Sequence, residues 1–175
     1  MDGLSHVLVG LCVAAWSRDG LTPSHGLACA AAALATDAFF VPLALTLGRD
    51  ARRTLWIPRD ADWRGARERY PKLTALGWDL PYSLVGAGVV CSALWSWAGA
   101  AIAVAYASHV VIDYPTHHGE WSVKPFYPFS QRAFAGMNSA WEWPVRKMAF
   151  AWAALALVLG LSLYARLRLG LGGIA

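Results

Sequence analysis

From Leu80 to Tyr114 the chain runs for 35 residues with almost no charge. As one helix this run would be ~52 Å long at ~1.5 Å per residue. That is too long for one crossing of a ~30 Å hydrocarbon core and slightly short for two ordinary ones. Trp95-Ser96-Trp97-Ala98-Gly99, near its middle, suits a tight turn at an interface. The run therefore predicts two short helices, about 82–96 and 99–113, packed as an antiparallel hairpin. Further apolar blocks at 4–16, 27–35 and 145–164 are also helical in character. With 57% hydrophobic and 15% charged residues, the composition excludes an ordinary soluble domain. The expected fold is all-α: one membrane domain over 1–175, a polytopic bundle of about five short helices with a buried polar site near one membrane face.

Charge sets the expected orientation. Arg49 to Lys72 holds eight Arg/Lys against four Asp/Glu, and a basic segment of this kind beside a span marks a cytoplasmic loop, taken as 49–78. Alternation then puts the N-terminus and a second loop, 114–144, on the cytoplasmic side of a multi-pass inner (plasma) membrane protein. Arg166 and Arg168 end up outside, against the same preference. Because the basic residues gather beside the membrane, the net charge of +4 makes no case for nucleic acid; anionic head groups of the lipid bilayer are the natural counter-charge. Ten tryptophans suit an interfacial belt or Trp-rich contact with other membrane proteins. Cys12, Cys29 and Cys91 lie inside apolar blocks without CxxC spacing, which reads as small buried hydrophobes rather than disulfides. The first apolar block contains His6 and lacks a basic leader, so no cleavable signal peptide is expected.

Ionisable groups at membrane depth point to function. His109 and Asp113 are four residues apart and share a helix face, where both can grip one ion. Pro115 is expected to stop that helix, letting Thr116-His117-His118-Gly119 fold back beside its end. Imidazole and carboxylate converging there would suit zinc or a similar divalent ion. In the first block His6, Gly10 and Ala14 form one stripe suited to close helix packing. Asp37, late in the second helix, which is expected to begin near Gly26, is costly unless paired or metal-bound. Asp79 before Leu80-Pro81 fits a helix N-cap as well as a ligand. His25 reads as a solvent-facing loop residue.

The block His109-x-x-x-Asp113-x-Pro115-Thr116-His117, followed by Pro125-Phe126-Tyr127-Pro128-Phe129-Ser130, resembles the inner-membrane metal-dependent hydrolase family, long catalogued as a domain of unknown function and related in pattern to zinc phospholipase C and P1-type nucleases. Ser5-His6-x-x-x-Gly10 resembles that family's opening and implies His6 as a ligand. The resemblance also carries Asp37 over. The family's second aspartate is replaced by Phe39, and its histidine before Ser83-Leu84 by Tyr82. It implies zinc or a similar divalent ion held by His6, Asp37, Asp79, His109, Asp113 and His117. Alternation brings all six toward the cytoplasmic face, enough for one or two ions, where Tyr82 or Glu142 could supply a proton. The implied activity is hydrolysis of a phosphate ester or an amphiphilic, lipid-like substrate. The alternative is a non-catalytic helix-bundle subunit of a larger membrane complex with a degenerate site.

Overall fold

The computed structural model describes residues 3–50, 63–137 and 143–170. Among these the chain forms eight α-helices and no strand, only one isolated bridge between Val123 and Phe134. Helix α1 spans Gly3–Trp16 and α2 spans Pro23–Ala38. The second starts three residues before Gly26: Thr22 accepts the His25 amide at 3.3 Å, and Pro23, which has no N–H to leave unpaired, opens the first turn. After Phe39-Phe40 the chain bends by 49° into α3, Val41–Asp50. The described part of the expected 49–78 loop is also helical. It forms α4 (Ala66–Arg69), then α5 (Pro71–Thr74), which tightens into a π turn over Ala75–Asp79. A second bend, of 53°, leads into α6, Leu84–Ala98. Ser83 caps α6, accepting the Gly86 amide at 3.0 Å, so the capping role considered for Asp79 belongs to Ser83.

The expected hairpin is present. Gly99, at φ 94°, makes the reversal in a backbone region that side-chain-bearing residues avoid, and α7 returns over Ala100–Thr116. Nested contacts show the antiparallel register: Cys91 Sγ to the Ala103 carbonyl (3.7 Å), Tyr106 Oη to that of Pro81 (3.4 Å) and Tyr114 Oη to that of Tyr82 (3.2 Å). Pro115 does not stop α7. The helix continues through Thr116, whose hydroxyl bonds the Ile112 carbonyl at 2.9 Å, and His117 then turns extended. A short 3₁₀ turn, Gly119–Trp121, precedes an irregular strap over 124–137, and α8 covers Val145–Leu169.

Helix α8 is long and apolar enough to cross a membrane, and each bent pair passes the same test if it counts as one span, for up to three in all. Helices α1 and α8 run parallel: Cys12 Sγ meets the Leu155 carbonyl, Trp16 Nε1 donates to Ser162 Oγ at 2.8 Å, and Arg166 donates to the carbonyls of Ala15 and Ser17 at 2.7 and 2.6 Å. The core between α1, α2 and α7 is built of small residues, Ala14, Cys29, Ala32, Ala33 and Ala105, which lets the backbones approach closely. A second, aromatic core of Leu43, Leu47, Trp78, Tyr82, Trp121 and Val123 closes one end of the bundle. His25 is not a solvent-facing loop residue. It lies in the first turn of α2, with Nε2 2.8 Å from Ser17 Oγ, and ties the α1–α2 turn.

Candidate metal centre

The start of α1, the end of α2 and the end of α7 meet next to the aromatic core. Two of these helix ends bring imidazoles that stack face to face: the His6 and His109 ring centroids are 3.5 Å apart and the planes 6° from parallel. His109 is 1% exposed, and its Nδ1 bonds the carbonyl of Ala33. A carbonyl only accepts, so Nδ1 carries the proton and, in the neutral ring, Nε2 presents a lone pair. That Nε2 lies 3.1 Å from Asp113 Oδ2, 3.6 Å from Asp37 Oδ1 and 3.0 Å from Tyr82 Oη. His6 Nε2 is 3.5 Å from the other oxygen, Asp113 Oδ1. A nitrogen lone pair held this close to a carboxylate oxygen repels it unless a cation, proton or metal, stands between them.

The donor set fits a metal ion. His6, His109 and Asp113 are all buried, and each offers a ligand atom within 4.8 Å of the others. Each imidazole meets a different oxygen of Asp113, His109 at 3.1 Å and His6 at 3.5 Å, so this carboxylate bridges the two rings. The bond from His109 to Ala33 is the usual outer support of a metal-binding imidazole, which fixes its tautomer and ring orientation. This buried group could therefore hold a metal ion. The Asp37 side chain is 54% exposed, so the cluster opens on that side and is closed on the others.

The remaining predicted residues divide. His117 borders the cluster, with Nδ1 3.7 Å from Asp113 Oδ1, but the same atom is 3.0 Å from the Asp113 carbonyl and is used there. Burial pushes the His117 imidazole down to about 4, against the pull of the Asp113 carboxylate, so the ring is neutral near pH 7. Tyr82, 1% exposed, fills the position that the sequence resemblance gives to a histidine, and points its hydroxyl at His109. Glu142 lies outside the described residues.

Asp79 is used elsewhere. Both its oxygens take Arg67 Nη1 at 2.7 Å, and Oδ2 also takes Lys124 Nζ at 3.0 Å. Two cations already neutralise this buried carboxylate, which is a brace rather than a member of the His/Asp group. Glu120 completes the brace by accepting the amides of Gly65 and Arg67 at 3.1 and 3.2 Å. Sequence reasoning missed Arg67, Lys124 and Glu120 because Arg67 is one of eight cations in its segment and the other two lie more than fifty positions away. It also missed the aromatic wall. Trp78 packs on Tyr82 and His117 at centroid distances of 4.1 and 4.8 Å, and Trp121 and Phe40 meet Trp78 edge-on. The placement of Trp63, Trp78 and Trp121 between the apolar blocks, rather than inside them, was the available signal. No protein-family description, curated protein or solved structure matches this chain.

Proposed function

We propose that the protein is a multi-pass, metal-dependent hydrolase of the inner membrane, with zinc in the His6–His109–Asp113 group, acting on a phosphate ester or another amphiphilic, lipid-like ester. The observation that supports this most directly is the pairing at His109. Its Nδ1 is committed to Ala33, and its Nε2 faces two carboxylates beside a stacked second imidazole. Two nitrogens and an oxygen are a donor set that zinc favours, and such an ion supplies Lewis acidity and a nucleophilic water at neutral pH. The chain's own residues do the rest. Ala33 and the ring stack hold His109 in place, and the Trp78–Trp121 wall keeps bulk water from that side. Asp37 leaves the open side, and the Tyr82 hydroxyl, 3.0 Å from His109 Nε2, would give a proton to a leaving group. The resemblance of the 109–117 block to the membrane hydrolase family supports the same reading. The basic 49–72 segment favours a cytoplasmic site and N-terminus.

The test is metal content with activity. Protein purified without chelator should carry stoichiometric zinc and hydrolyse a phospholipid or an aryl phosphate in detergent. His109→Ala and Asp113→Ala should lose both properties. Wild-type protein free of metal after such a purification would overturn the proposal. One observation favours a second reading, a non-catalytic subunit: Tyr82 occupies the space beside His109 where a further ligand would stand. Metal bound without hydrolysis of any ester is the outcome that reading requires.

A further inference from the structure

The parallel packing of α1 on α8 gives the cluster a depth. Cys12 pairs with Leu155 and Trp16 with Ser162, offsets of 143 and 146 positions. The same offsets carry His6 to the level of residues 149–152 of α8. Helix α8 has no charged side chain between Lys147 and Arg166. Those eighteen residues span ~27 Å, close to the ~30 Å of a hydrocarbon core. His6 and its stacked partner His109 therefore lie within about one turn of the boundary that Lys147 marks. This is the depth of the ester and phosphate groups of a phospholipid, not of the bilayer centre.

The surface around that boundary has matching chemistry. The strap over 124–137 is pinned across the helix end: the Leu84 amide donates to Pro125 (2.8 Å), Gly136 to His117 (3.2 Å) and Met137 to Pro115 (3.0 Å). Yet it turns Phe126, Phe129, Phe134 and Met137 outward, at 56, 84, 49 and 80% exposure. Leu84 and Val85, exposed on the first turn of α6, continue this apolar surface. Arg132 on the strap is exposed, as are Arg146 and Lys147 in the first turn of α8. Cations are disfavoured at a helix N-terminus, where the dipole is positive and α8 has no acidic residue. An anionic surface at that level would offset the cost.

Building on the membrane-hydrolase reading above, we propose that the strap and the first turn of α8 form a docking surface for anionic phosphoglycerides, with Phe126, Phe129, Phe134 and Met137 among the upper acyl carbons and Arg132, Arg146 and Lys147 at the phosphates. The cluster then meets its substrate at the head-group level, with the acyl chains still in the bilayer. A soluble phosphate ester has no use for such a surface.

Spin labels test this without reference to activity or metal. In protein lacking its three cysteines, single cysteines replace Phe129, Phe150 and Leu157, and each labelled protein is placed in phosphatidylcholine nanodiscs with and without phosphatidylglycerol. Collision with oxygen and with a water-soluble nickel chelate gives the depths. The expected result puts the labels at 129 and 150 near the same shallow depth and that at 157 deeper by ~10 Å. In the annulus, spin-labelled phosphatidylglycerol should be preferred over phosphatidylcholine, by on the order of fivefold per cation engaged, and Arg132→Gln with Lys147→Gln should remove most of that preference. If the label at 157 is deep but that at 129 is freely accessible to the nickel chelate, the docking surface is wrong while the membrane reading stands. A label at 129 shielded from both reagents marks a protein partner and overturns the proposal. If 157 is also aqueous, the membrane reading itself fails and takes the proposal with it.

Discussion

His6 and His109 stand 103 positions apart in the chain, and their rings lie parallel with centroids 3.5 Å from one another. The stack joins the first turn of α1 to the last two turns of α7, and Asp113 reaches both rings through its two oxygens. Anything that loosens α1 against α2 or α7 should therefore be felt as lost metal affinity, even far from the ligands.

Metal binding should follow the structural group rather than the six residues that the sequence suggested. His6→Ala, His109→Ala and Asp113→Ala should each reduce bound metal to background in elemental analysis, because each deletes a donor from a three-donor set. Asp79→Asn should keep its metal. It should lower stability by about 3 kcal/mol by leaving Arg67 and Lys124 without their shared carboxylate, read as thermal unfolding in detergent. His25→Ala and His118→Ala are the controls that should leave metal content unchanged. Retention of metal by Asp113→Ala would place the site elsewhere.

Tyr82 separates the two functional readings. Tyr82→Phe keeps the packing on Trp78 and removes only the hydroxyl beside His109. In an enzyme it should lower kcat on the order of a hundredfold with little change in KM. Tyr82→His restores the residue that the family resemblance implies, and should raise metal affinity roughly tenfold or more in chelator competition. No change in affinity would mean that this side chain does not face the ion.

Gly10 lies one turn from His6, against the backbone of α2. A Cβ there would meet the Cys29 carbonyl oxygen at 2.7 Å and Ala30 Cα at 3.0 Å, both rigid backbone. Gly10→Ala should cost about 1–3 kcal/mol and weaken metal binding by moving His6 out of its stack. If stability falls while metal affinity is untouched, the stack tolerates displacement.

Arg166 is 7% exposed and donates to the Ala15 and Ser17 carbonyls, which close the C-terminal end of α1. Arg166→Ala should cost about 3 kcal/mol, since carbonyls at the helix end lose a charged donor. Arg166→Lys should recover part of this, as an ammonium cannot reproduce the guanidinium fork. Metal content should not change in either variant, because the cluster lies at the other end of α1. Thermal unfolding and elemental analysis on the same samples check both halves.

The linear sequence determined what is local. The apolar run 80–114 implied a hairpin by its length, and the Trp95–Gly99 cluster marked the turn, where the structure puts Gly99 at φ 94°. His109 and Asp113 had to share a face through the helical repeat, and the His6–Gly10–Ala14 stripe had to be buried, as it is. Tertiary structure decided the partners. Asp37, His6 and the 109–113 pair come from three helix ends, and no periodicity fixes which ends meet. Asp79 looked like a cap because Leu80-Pro81 follows it, and like a ligand through the family resemblance. Its true partners, Arg67 and Lys124, lie 12 and 45 positions away and are brought in by α4 and by the segment after the 3₁₀ turn. Pro115 was expected to end α7, yet the helix holds one residue longer, with the Thr116 hydroxyl bonded to the Ile112 carbonyl. Backbone geometry and side-chain period act over a few residues and can be read along a chain. The pairing of buried charges is settled only when packing has chosen which distant groups share a space from which water is excluded.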